Sequence, residues 1–170
     1  NNNTIRIKFI FLGLFIFVSA LSQSNRIYLK HADKGFYDKK NDINRLSGNV
    51  YLIQDTVHLK SDRALFYKEK NIAFLYGKIN IRNGKNQFIR SDRAIYKGHE
   101  NKAELYANVS IKDSVSTTTG DKVFYFKDSK FTEIFGNGKV VETTNNIEIL
   151  GDYISSLDRK KVNVYGNAEF

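Results

Sequence analysis

A small residue opens a short apolar alternation five times in this chain, at Gly48, Gly77, Ala107, Gly136 and Gly166, at intervals of 29, 30, 29 and 30 residues. An aspartate keeps the same beat at Asp33, Asp62, Asp92, Asp121 and Asp152, at intervals of 29, 30, 29 and 31. A fixed period of this size requires stacked supersecondary units, because one unit alone cannot bury its apolar face. The final residues, Asn167–Phe170, begin another unit, so the sequence reads as a domain truncated at its C-terminal end.

Within a unit the apolar pattern has period two. Ala103, Leu105, Ala107, Val109 and Ile111 alternate with polar residues over ten positions, as a strand with one buried face requires. Ala73–Ile81, Leu46–Leu52 and Val162–Phe170 repeat the phase, with the small residue on the face assigned to the interior. A second strand returns in each unit, over Val57–Tyr67, Gln87–Lys97 and Ile147–Leu157. Turn-forming runs such as Arg82-Asn83-Gly84-Lys85 and Thr144-Asn145-Asn146 separate the two. The returning strand changes parity at its aspartate: Leu59 and Ser61 share one face, Ala64 and Phe66 the other. This predicts a β-bulge on the aspartate strand and a crease at mid-strand. Gly48, Gly77, Ala107 and Gly136 would mark one side of that crease, and Asp62, Asp92, Asp121 and Asp152 the other. The expected fold is an all-β antiparallel jellyroll of stacked, bent hairpins of about thirty residues, with two facing sheets. The absence of proline and the 13 Phe and 10 Tyr suit long strands.

The N-terminus reads as an address. Arg6 and Lys8 precede the apolar run Phe9–Val18, and small residues follow to Ser22. That run is too short for the roughly 20 residues that span a bilayer, and it fits a secretory signal over 1–22, with an uncleaved anchor as the alternative. Residues 23–170 then form one extracytoplasmic domain. With no cysteine, it has neither disulfides nor thiolate metal sites.

No catalytic constellation emerges. His31, His58 and His99 lie in different units, the aspartates are spaced one per repeat, and Ser114, Ser116 and Thr117–Thr119 have no neighbouring histidine. The reading is of a non-enzyme with no cofactor and no metal. The net charge of +9 suits anionic partners, although it also reflects a lysine-rich composition.

The quoted repeats carry a family resemblance. Leu46-Ser47-Gly48-Asn49-Val50-Tyr51-Leu52, then Leu59-Lys60-Ser61-Asp62-Arg63-Ala64-Leu65-Phe66-Tyr67, resembles the repeat of the OstA-like family, and Ser91–Tyr96 repeats it. The fourth unit departs from it: Asn137-Gly138 look inserted, and Tyr153–Ser156 lack the Arg-Ala and Tyr. The resemblance implies a periplasmic module of lipopolysaccharide transport that shields acyl chains between two sheets. Its implied partners are lipopolysaccharide, through lipid A, and like-fold components or copies of itself, by strand addition; nucleic acid is not among them. Association with either membrane stays open. The lining so implied is Leu52, Leu59, Ile79, Ile81, Ile89, Leu105, Val109, Ile111, Val140, Ile147 and Ile149, with basic rims meeting lipid phosphates at the groove mouth. A structural or adhesive repeat protein with a closed core is the alternative.

Overall fold

The computed structural model describes residues 25–158 and 160–170; the leader reading of 1–22 lies outside the described residues. The strands are β1 (Tyr28–His31), β2 (Lys34–Asp38), β3 (Ile43–Gln54), β4 (Val57–Tyr67), β5 (Ile72–Asn83), β6 (Gln87–Lys97), β7 (Lys102–Lys112), β8 (Ser116–Phe126), β9 (Phe131–Glu142), β10 (Ile147–Leu157) and β11 (Lys161–Tyr165). They form one antiparallel sheet in sequence order, with β1 and β2 sharing the edge of β3. No helix occurs among the described residues. The returning strands read from the sequence coincide with β4, β6 and β10.

Every long strand breaks register at one level. Ser47 pairs with Arg63 and Val50 with Ser61, so Gly48 and Asn49 together face the single Asp62. Gly77-Lys78 face Asp92, Ala107-Asn108 face Asp121, and Gly136-Asn137 face Asp152 in the same way. Both members of each pair are left-handed; Gly77 has φ 72° and Lys78 44°. The bulge therefore lies on the glycine strand, not on the aspartate strand as the parity change suggested. The reason is geometric. Leu105 and Val109 both point inward four residues apart, while their partners Val123 and Gly120 are only three apart. Parity cannot distinguish an extra residue on one strand from a missing one on its neighbour.

The small residues also point elsewhere than expected. A Cβ on Gly48, Gly77, Gly136 or Gly166 would strike the side chain of Asp33, Asp62, Asp121 or Asp152, respectively. The residue after the small one clasps the same carboxylate: Asn49 to Asp33 (2.9 Å), Asn108 to Asp92 (2.6 Å), Asn137 to Asp121 (2.8 Å) and Asn167 to Asp152 (2.9 Å). Ala107 is exposed although its neighbours Leu105 and Val109 are buried. Asn137-Gly138 is accordingly no insertion, since Asn137 takes the clasp position of its unit.

This column of clasps divides the sheet into two arms. Arm A comprises 50–61, 79–91, 109–120 and 138–151; arm B comprises 43–47, 63–76, 93–106, 122–135 and 153–165. The arms fold together over a core led by Leu52, Leu59, Leu75, Ile81, Ile89, Leu105, Ile134 and Ile154.

The outer face of arm B holds one buried charge cluster. Buried Glu104 binds Lys97 (2.8 Å) and Lys102 (3.0 Å) and accepts the Tyr106 hydroxyl. Burial pushes the Glu104 carboxyl up, but the hydrogen bonds from the two lysines outweigh it and hold it below the usual carboxylate range. Glu104→Gln is expected to cost about 1.5 kcal/mol at neutral pH. A carboxylate with a lowered folded pKa stabilises above its unfolded value and loses that contribution as pH falls through the folded one. The gap between wild type and variant should therefore close below about pH 4.3, which urea unfolding at stepped pH measures.

Candidate functional site

The two arms meet along a seam, and its two ends differ. At the N-terminal end a polar zipper closes it. Gln54, at the tip of β3, donates through Nε2 to Gly98 O (3.0 Å) and Asn101 Oδ1 (3.2 Å), in the turn of arm B. Asn71 donates to Asn25 O (2.7 Å) and accepts the Ile27 N–H (2.7 Å), while Gly98 N–H donates to Asn71 O (2.8 Å). Gln54 and Asn71 are each 1% exposed, and Ile27 is buried with them. The void remaining beneath, between Ile81, Ile89 and Tyr96, is about 10 Å³. Burial pushes the Tyr96 phenol up, helped by the charges of Asp55 and Asp128, so it stays protonated in this dry interior.

Toward the C-terminal end the arms part around a cavity of about 190 Å³. Arm A contributes Ile111, Ser116, Thr118, Val140, Ile147 and Ile149; arm B contributes Tyr125, Thr132, Ile134, Ser156 and Val162. Two causes are visible. At the inward positions of arm A, β4 carries Val57 and Leu59, whereas β8 carries Ser116 and Thr118, which fill less volume. The inner face of arm A at β10 is also incompletely covered, leaving Ile147 44% exposed. A broad open depression of about 540 Å³ lies at the N-terminal end of arm B, between Phe36, Arg45, Arg63 and Tyr76, but it is not enclosed between the arms.

A family model described as "OstA-like protein" matches residues 24–165. The chain belongs to the OstA-like family. No curated protein sequence gives a significant match. Among solved structures, this OstA-like chain is similar to LptH of Pseudomonas aeruginosa, described as the LptA homologous periplasmic component of the conserved lipopolysaccharide transport device. The identity is 16%, the TM-score 0.61, and the match covers 67% of this chain and 85% of that one. At that identity the likeness establishes the fold: antiparallel, all-β and built of bent hairpins.

The residues expected to line the interior fall into two groups. Leu52, Leu59, Ile79, Ile81, Ile89, Leu105 and Val109 are at most 2% exposed and pack in the shared core. Ile111, Val140, Ile147 and Ile149 border the cavity. Thr118, Tyr125, Thr132, Ile134, Ser156 and Val162 also border it and are absent from the sequence-derived set. For Thr118 and Thr132 the signal was present, as a polar residue at an inward position of β8 and β9.

The rim departs from expectation as well. It carries Asp113, Glu142 and Asp158 against Lys130, so the mouth is not basic. Lys130 lies 3.3 Å from Asp158, and its hydrogen bond holds that carboxyl below its ordinary value. Asp113 accepts the Val115 and Ser116 N–H groups (2.9 Å each) and caps the β7–β8 turn. Among the described residues no three His, Asp or Glu side chains form a metal-binding group.

Proposed function

We propose that this OstA-like chain is a periplasmic lipid carrier, which shields the acyl chains of lipopolysaccharide between its arms during transport to the outer membrane. The observation that carries the reading is the cavity at the C-terminal end of the seam, walled by Ile111, Ile134, Val140, Ile147 and Ile149. Each methylene moved from water into such a space gains about 0.8 kcal/mol, so a carrier needs no covalent chemistry. Ser116 and Thr118 of arm A and Thr132 and Ser156 of arm B tolerate a wet cavity when no lipid is present, whereas the N-terminal core is already filled by its own side chains. Acyl chains therefore enter from the β10–β11 end. Both edges of the sheet, β1–β2 and β11, pair on one side only among the described strands, which suits edge-to-edge addition of like domains.

A photo-crosslinking residue at Ile149, facing the cavity, is compared with one at Glu148, the adjacent position facing out. The expected result is a lipopolysaccharide adduct at position 149 and none at 148, seen by mass shift and lipid A detection. No adduct at 149, together with no lipid co-purifying with the domain, would leave a structural repeat protein with a closed core as the better reading.

A further inference from the structure

The two outer faces of this sheet treat their cations differently. Across the middle of arm B they are matched: Lys97 and Lys102 bind Glu104, Arg93 lies 4.5 Å over the Tyr106 ring, and Lys122 sits 4.7 Å from both Phe124 and Phe135, while Arg63 nearer the β3 edge has no such partner among the described residues. On arm A, among the described residues, the cations of β4 through β7 bind no carboxylate, and only Lys139 of β9 does, through Glu148 (2.7 Å). The outward cross-strand rows there run Tyr51-Lys60-Asn80-Arg90-Ser110-Thr119 and Ile53-His58-Arg82-Phe88-Lys112-Thr117. From β3 through β8 these rows contain no carboxylate, and Arg82, Arg90 and Lys112 form no ion pair with another described residue. Lys60 lies over Tyr51 at 5.3 Å, still exposed.

The register brings these like charges close together. Phe88 pairs with Arg82 on one side and Lys112 on the other, and Arg90 is diagonal to both cations. Diagonal cross-strand neighbours lie roughly 7 Å apart, and like charges at that distance oppose folding. Four strands at a spacing of about 4.8 Å make the patch roughly 14 Å wide, and neighbouring charges within it, about 7 Å apart, lie inside the Debye length of about 8 Å at physiological salt. It therefore presents a continuous field rather than separate solvated charges. At its centre Phe88 is 45% exposed, an apolar ring flanked on both sides by cations.

We propose that the outer face of arm A is a docking surface for an anionic phospholipid bilayer, with Lys60, Arg82, Arg90 and Lys112 over the headgroup phosphates and Phe88 in the interfacial layer. Charge and form select this occupant. The face is broad and sheet-like, its two outer rows are basic with the carboxylates of Asp62 and Asp92 confined to the crease that borders them, and its exposed Phe88 suits the headgroup–acyl boundary. The cavity opens between the arms and not on this face, so docking leaves the seam accessible.

The test is co-flotation of the domain with vesicles of phosphatidylcholine alone or with 30 mol% phosphatidylglycerol, a composition set here as a probe, at low and high salt. Each basic residue near an anionic surface contributes about 1 kcal/mol, so reversing two of them should weaken binding by tenfold or more. The expected result is phosphatidylglycerol-dependent flotation that salt abolishes. Arg82→Glu/Arg90→Glu should lose it, and Phe88→Ser should weaken it. Lys39→Glu/Lys40→Glu, with the same change in net charge in the exposed β2–β3 turn, should bind within about twofold of wild type. Circular dichroism checks that each variant folds. Flotation that is indifferent to phosphatidylglycerol, an equal loss in both double variants, or tighter binding to a DNA oligonucleotide than to the vesicles would each overturn the proposal. The adduct at position 149 reads the cavity separately, so the two readings fail independently.

Discussion

Gly77→Val is expected to lower stability by about 4 kcal/mol, because it offends two features of the crease at once. Gly77 has φ 72°, and an L-residue there costs about 1–2 kcal/mol, more when β-branched. A Cβ would also stand 2.7 Å from Asp62 Oδ2, so the carboxylate must leave the position in which the crease holds it. The chain contains its own control. Ala107 occupies the equivalent position with φ 60°, next to the carboxylate that Asn108 clasps, so a single methyl is accommodated. Ala107→Gly relieves that strain but frees the unfolded chain, and the two nearly cancel, leaving a change within about 0.5 kcal/mol. Thermal unfolding should show a Tm drop of roughly 10 °C for Gly77→Val and almost none for Ala107→Gly. A loss below about 1 kcal/mol for the valine would mean that the left-handed pair is not what bends the strand.

The crease also shows what the sequence could and could not convey. The repeat of Asp62, Asp92, Asp121 and Asp152 located the bend, and the parity of Leu59, Ser61, Ala64 and Phe66 revealed a mismatch with the neighbouring strand. Which strand held the extra residue was not legible, because a two-residue left-handed pair restores the alternation on either side of itself. The apolar run Ala103–Ile111 therefore looks uninterrupted while Ala107 turns out to solvent. The cavity was legible in outline only. Inward parity identified Ile111, Val140, Ile147 and Ile149, but it assigned the same role to Leu59 and Leu105, because periodicity reports the face and not the density behind it. What distinguishes the two groups is stagger: the tip of β3 meets the turn at 98–101 of arm B, whereas the inner face of β10 is left partly open. The zipper of Gln54, Asn71 and Gly98 follows from the same long-range geometry, joining residues 27 to 47 positions apart, and no local pattern encodes it. Basic residues were likewise evident from composition, yet only the register showed that they gather on the outer face of arm A and leave the cavity mouth acidic.

Truncating two residues of the same sequence-derived set should therefore give opposite results. Leu59→Ala removes a fully buried side chain from the close-packed half of the core, where the surrounding strands cannot collapse, and should cost about 3–4 kcal/mol. Ile149→Ala enlarges a space that already exists, beside Thr118 and Val140, and should cost less than about 1 kcal/mol. Urea unfolding measures both, with unchanged m-values showing that the unfolded states are comparable. Lipid capture should run the other way: Ile149→Asp, which places a charge against the acyl path, should abolish adduct formation from a crosslinker at Val140 while the domain stays folded. If Ile149→Ala instead costs as much as Leu59→Ala, the C-terminal end is packed as tightly as the rest. The space between the arms would then be core throughout, with no room for an acyl chain.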